Sequence, residues 1–335
     1  MGETKGQGAE DGRSSLERAL GVVTEVRAGE GITALLLTVN VFLLLTAYYV
    51  IKPVREGLIL AMPGGAEYKS YLSAVIAGAL LFAVPAYGKA ADRFPKNKLV
   101  VGVTLFFASH LLAFYAASKT GAESRLGLLF FVWVGIFNMM LVAQFWAFAA
   151  DLYTDEQGKR LLPLLGIGAS VGGAAGAYVT KALVKSIGTY QLMLVSAAIL
   201  AGSAAISRVV AAREAARRAG GAPGDSPHRQ PGREAEADAE APPPEKEEGG
   251  TFGLVFRHKY LTLIAVFAVL FTTVNTNGEY MLGVIVSGWA KAEAAVAAAA
   301  GGDERAVARD LTTGFYGDFF LYVNVAVVLL QTFAV

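Results

Sequence analysis

The stretch Tyr48-Tyr49-Val50-Ile51-Lys52-Pro53-Val54-Arg55-Glu56-Gly57 follows an apolar run almost without a break. Three ionisable groups therefore stand where hydrocarbon-like sequence would otherwise continue. On a helix, Lys52 and Glu56 share a face at a spacing of four. An ammonium and a guanidinium held away from water are fixed donors for a dehydrated phosphate or carboxylate. Ionisable groups at membrane depth mark solute or ion pathways. The other reading is that these groups have already left the apolar layer and snorkel at its surface. A second polar stretch, Thr272, Thr273, Asn275, Thr276, Asn277 and Glu279, is either a solute-facing wall or hydrogen-bonding glue between helices. With Asn138 and Gln144 from another apolar run, the candidate substrate-binding set is Tyr48, Lys52, Arg55, Glu56, Asn138, Gln144, Asn275 and Glu279.

Other chemistries find little material. There is no cysteine, which removes disulfides, thiolate metal sites and thiol nucleophiles. His110, His228 and His258 lie far apart in sequence, without metal-ligand spacing, and His110 reads as a packed residue rather than a proton relay. An enzyme would need a nucleophile beside a base, a metal cluster or paired acids at one depth. The sequence offers none, so no catalytic residue, metal or cofactor is expected. A formal net charge of +1 argues against a nucleic-acid partner, and no obligate protein partner is evident.

The elements that must position these residues are membrane helices. Of the 335 residues, 54% are hydrophobic and only 17% charged, with the charge concentrated between Arg208 and Lys259. A span needs about 20 apolar residues to cross about 30 Å of hydrocarbon. Eight segments meet that length at least roughly: Ile32–Ile51, Tyr71–Tyr87, Leu99–Ala117, Leu128–Ala150, Leu161–Val184, Thr189–Val209, Tyr260–Ser287 and Phe315–Val335. None alternates in the manner of a barrel strand. The fold class is therefore an all-α, polytopic membrane protein in a lipid bilayer. Most of the 29 Lys and Arg fall in the tail, the central loop and alternate connections, which predicts a cytoplasmic N-terminus and central loop.

The division expected is a polar tail over 1–30, a six-helix bundle over 31–209, a linker over 210–258, and two spans of a second bundle over 259–335. The stretch Ala211–Gly250 is too rich in Ala, Pro, Glu and Arg to fold alone and reads as disordered. Residues 288–309 read as an Ala-rich amphipathic excursion outside the membrane. In the fifth span Gly168, Gly172 and Gly176 repeat every four residues, the spacing that lets two helices approach closely.

Between the second and third spans lies Gly88-Lys-Ala-Ala-Asp92-Arg93-Phe-Pro95-Lys96-Asn-Lys98. Read by itself, Gly88 permits a tight turn at a helix end and Asp92 can cap a helix or pair with a base. The stretch resembles the signature loop of the major facilitator superfamily at the same place in the topology, with Pro95 where that pattern has Gly. The resemblance implies two six-helix bundles, with four further spans expected beyond Val335. It also implies conformational-switching roles for Gly88, Asp92 and Arg93.

A narrower resemblance rests on Lys52–Leu58 and on Trp146, Phe148, Thr154, Asp155, Glu156, Lys159, Arg160, Pro163 and Gly166 taken in order. These are similar to the ATP/ADP translocases of plastids and intracellular bacteria and their bacterial relatives. Glu279 falls where that family carries a functional glutamate. Arg55 departs from the family, which usually has Lys, and no acid precedes Asp151 in the fourth span. The resemblance implies a secondary antiporter of the bacterial inner membrane that exchanges a small anionic solute, ATP and ADP leading. Asp151, Lys159 and Arg160 would join the switching set. A carrier of a different organic anion, and a non-transporting scaffold or sensor, are the alternatives.

Overall fold

The computed structural model describes residues 14–21, 24–120, 123–219 and 259–334. The expected linker lies mostly outside the described residues, as do the first thirteen positions and the side chain of Asp92. The described chain is helical and contains no strand: α1 (Ser15–Leu20), α2 (Gly31–Leu60), α3 (Gly65–Arg93), α4 (Lys96–Ala117), α5 (Glu123–Leu152), α6 (Asp155–Ile187), α7 (Leu192–Ala219), α8 (Lys259–Ala299) and α9 (Glu304–Ala334). Among the described residues eight helices, α2 to α9, are long and apolar enough to cross a membrane. They follow the eight expected spans in order.

Several ends move outward, because hydropathy marks the apolar layer while a helix ends only where its backbone must turn. α2 runs through Pro53 to Leu60, nine residues past the expected end, so Lys52, Arg55 and Glu56 are interior helical residues. α3 continues through Gly88 to Arg93, so Gly88 occupies no turn. A Cβ there would meet nothing within 4 Å, and a helix tolerates such a glycine for about 1 kcal/mol. The break comes at Phe94, held extended by the following Pro95, which occupies the N-cap position of α4. α7 reaches Ala219 rather than ending at the expected 209. Residues 288–299 continue α8 as helix, and a short turn at Ala300–Asp303 leads into α9. There Gly301 takes a φ of 91°, which a side chain would oppose.

α2 is the central helix, packed against α5, α6, α7 and α9. Its closest neighbour is α6, because the glycine stripe removes the side chains between them. A methyl group on Gly168, Gly172 or Gly176 would run into the backbone at Thr38, Phe42 and Thr46. Those three are also four apart, so two matching rows mesh along the crossing. Thr46 Oγ1 donates to Gly172 O at 3.1 Å across it. On the α7 side Asn40 Nδ2 donates to Ser207 Oγ at 2.6 Å and Ser203 Oγ donates to Asn40 Oδ1 at 2.8 Å. α9 lies along α2 and α6, and α8 contacts α9 and α3. The first half of α8, up to Met281, is exposed almost throughout.

Candidate functional site

Tyr48, Lys52, Arg55 and Glu56 repeat at three- and four-residue intervals and so emerge on one side of α2. α3 enters immediately after the α2–α3 turn and presents Lys69 one helical turn from its start. α8 brings Glu279, α5 brings Phe131, and α9 brings Tyr316 and Phe320. The result is a charged cluster near the end of the molecule that carries the α2–α3 turn.

Glu56 is the fixed point, only 1% exposed. Arg55 Nε donates to Glu56 Oε1 at 3.0 Å, with Nη2 directed at the same oxygen. Lys69 Nζ lies 3.0 Å from Glu56 Oε2 and 3.3 Å from Glu279 Oε2. The Arg55 guanidinium also lies over the Phe131 ring, 4.6 Å from its centroid. Asn275 Nδ2 donates to Glu279 Oε1 at 3.4 Å. These charges are three cations and two carboxylates once Lys52 is included.

Lys52 is the cation without a carboxylate. Among the described residues no acid lies within salt-bridge distance of its ammonium. It sits over aromatic rings instead, 4.1 Å from the Phe320 centroid, 5.3 Å from Tyr49 and 5.9 Å from Tyr48. Ring faces stabilise an ammonium weakly and leave its three N–H donors free to turn to an acceptor.

Of the expected binding residues, Tyr48, Lys52, Arg55, Glu56, Asn275 and Glu279 come together. Gln144 does not join them: it is buried against α4, donating to Thr104 Oγ1 at 3.2 Å. Asn138 is half-buried on α5 and makes no hydrogen bond among the described residues. Lys69 was missed, since it precedes the apolar run that marks the second span. Phe131, Tyr316 and Phe320 carried no signal beyond their apolar character. His110 packs between Phe106 and Trp133, with Nδ1 2.8 Å from Phe106 O.

The expected switching residues lie elsewhere. Gly88, Arg93 and Lys159 are exposed and Asp151 is half-buried. Arg160 binds the segment preceding α2: Nη2 and Nη1 donate to Glu30 at 3.0 and 3.1 Å, and Nη1 to Glu25 O at 2.6 Å. Gln157 adds a hydrogen bond to Glu30 at 3.1 Å. Burial pushes the Glu30 carboxyl up, but Arg160, the Arg27 N–H and Gln157 outweigh it and hold it below its ordinary 4.5.

α9 is tied to α6 from the α6–α7 turn to mid-helix, where Ser170 Oγ donates to Gln331 Oε1 at 2.9 Å, and α8 is tied at the α2–α3 end. Thr189 Oγ1 lies 2.6 Å from Asp310 Oδ1 and 3.0 Å from Thr313 Oγ1, and its N–H donates to the same Asp310 oxygen at 3.2 Å. Lys181 pairs with Asp318 at 2.6 Å, and Ser287 Oγ donates to Leu60 O at 3.0 Å. Residues 32–302 match the family described as Major Facilitator Superfamily. No curated protein and no solved structure matches the chain.

Proposed function

The chain belongs to the Major Facilitator Superfamily and is a multi-pass membrane transporter of the facilitator type, and from that premise we propose that its solute is a small anion. The observation that carries this reading is Lys52. The cluster holds one more cation than carboxylates, and the surplus is an ammonium caged by rings rather than paired with an acid. A phosphate or carboxylate losing its hydration shell needs such a donor.

Nucleotide exchange, ATP against ADP, is the leading candidate. Tyr48, Tyr49 and Phe320 beside Lys52 support it, because a base can lie on a ring while phosphates meet Lys52, Arg55 and Lys69. The helices α2–α7 form one unit and α8–α9 belong to a second that rocks against it. The N-terminus and residues 220–258 lie in the cytoplasm, in keeping with the Lys and Arg distribution.

The test is reconstitution of the full chain in liposomes with ATP, ADP, inorganic phosphate and citrate as solutes. Saturable uptake of at least one anion, lost in Lys52→Gln, is expected. Preference for ATP and ADP favours nucleotides, and preference for phosphate or citrate assigns a different anion. Saturable uptake of a neutral sugar or an organic cation, with all four anions ignored, would sink the reading.

A further inference from the structure

Lys69 has two carboxylate partners that differ in burial and in support. Glu56 is buried on α2, and Arg55 holds its other oxygen. Glu279 belongs to α8, its side chain is 51% exposed, and its further support is a long hydrogen bond from Asn275. An ion pair open to solvent is held weakly, while removing one member of a buried network strands a charge. Of the two carboxylates on Lys69, Glu279 is therefore the one an incoming anion can replace.

We propose that Glu279 is a built-in stand-in for the transported anion, occupying Lys69 when the site is empty and yielding it when the anion binds. The proposal rests on the anionic-solute reading above. Lys52 receives one part of the ligand and Lys69 another, while the Arg55–Glu56 pair stays intact between them. Because Glu279 rides on α8 and Lys69 on α3, the exchange also parts a link between the two helical units. The stripe Thr272, Thr276 and Glu279 on one face of α8 marks the side on which the carboxylate would be released.

The stand-in makes a prediction opposite to that for an ordinary binding residue. Removing its charge should tighten anion binding, because the ligand no longer competes with an internal carboxylate. Glu279→Gln in the full chain, in lipid nanodiscs, is expected to bind phosphate, ADP or ATP roughly two- to fivefold more tightly than the parent, as removal of a half-exposed ion-pair competitor implies. Glu279→Asp, with a shorter reach to Lys69, should fall between them and serves if the Gln variant folds poorly. The chain has no cysteine, so spin labels placed on α3 and α8 report the second consequence. Their separation should increase on adding anion to the parent, and should already be increased in ligand-free Glu279→Gln.

The outcomes separate cleanly. Parent binding with equal or weaker binding by both variants overturns the stand-in and leaves the anionic-solute reading untouched. Absence of binding by the parent and the variants alike removes both. Binding that appears only in Glu279→Gln, or tightens in it, supports the stand-in.

Discussion

Arg55 and Glu56 are neighbours in sequence yet form the tightest pair in the cluster, with Nε 3.0 Å and Nη2 2.5 Å from Oε1. Consecutive residues on a helix point about 100° apart, so such a pair is not a default of the backbone. It forms with the guanidinium turned towards Glu56 while its carbon lies 4.6 Å from the Phe131 ring centroid. A planar fork can do this and an ammonium cannot.

Arg55→Lys is therefore not conservative here. It should lose the contact with the Phe131 ring and one of two donors to Glu56. A hydrogen bond to a charged group contributes about 1.5–3 kcal/mol, which predicts at least about tenfold weaker anion binding and a lowered melting temperature. Binding to the parent and variant in detergent, with melting followed alongside, checks this. Equal affinity and melting in both would show that charge alone matters at position 55.

The glycine stripe makes a prediction about stability alone. Gly172→Ala places a methyl against the backbone of Phe42, which cannot yield as a side-chain tip could. Overpacking of that kind costs about 1–3 kcal/mol. Gly166→Ala is the control, since nothing lies within 4 Å of its added methyl. It should be neutral or slightly stabilising through reduced backbone freedom. Thermal melting of both variants should separate them by several degrees, and coincident curves would mean the helices can part without penalty.

The stripe was legible in the amino-acid sequence because small-residue spacing is a local pattern, and so were the number and order of spans. Helix ends were not, since the apolar layer stops at Ile51 while the backbone of α2 continues to Leu60. Partners distant in sequence were also hidden. Lys69 looks like a connecting-loop residue until α3 is seen to begin at Gly65. Asn40 with Ser203 and Ser207 looks like ordinary polar content until α2 and α7 are side by side. Asp310 lies in a charged stretch, and only packing sets it beside Thr189.

Glu30 supplies a pH dependence whose sign follows from its depressed pKa. A carboxyl that is easier to ionise in the folded protein stabilises the fold above its ordinary value of 4.5. That contribution is lost as pH falls below 4.5 and through the lower folded value. The parent should therefore melt at progressively lower temperature over this acid range. Arg160→Gln removes the principal partner and should melt lower at neutral pH, with a shallower fall on acidification. Parallel melting-temperature curves for the two proteins would remove Glu30–Arg160 as the source.

Thr189 and Asp310 give the most direct way to ask whether α9 moves during transport. Their side chains meet at 2.6 Å across the boundary between the α6–α7 turn and α9. If the α8–α9 unit rocks against α2–α7, this contact must open once per cycle, because it bridges the two units. The absence of native cysteine means that Thr189→Cys with Asp310→Cys introduces one defined pair. A disulfide needs Cβ atoms about 3.5–4.5 Å apart, within reach of side chains already in hydrogen-bonding contact. Oxidation should reduce anion uptake at least about tenfold, because a cross-linked boundary cannot open. Reductant should restore uptake in the same liposomes. Full uptake by protein shown to be cross-linked, by its changed reactivity towards a thiol reagent, would mean that this end stays closed throughout the cycle and that solute moves by another route.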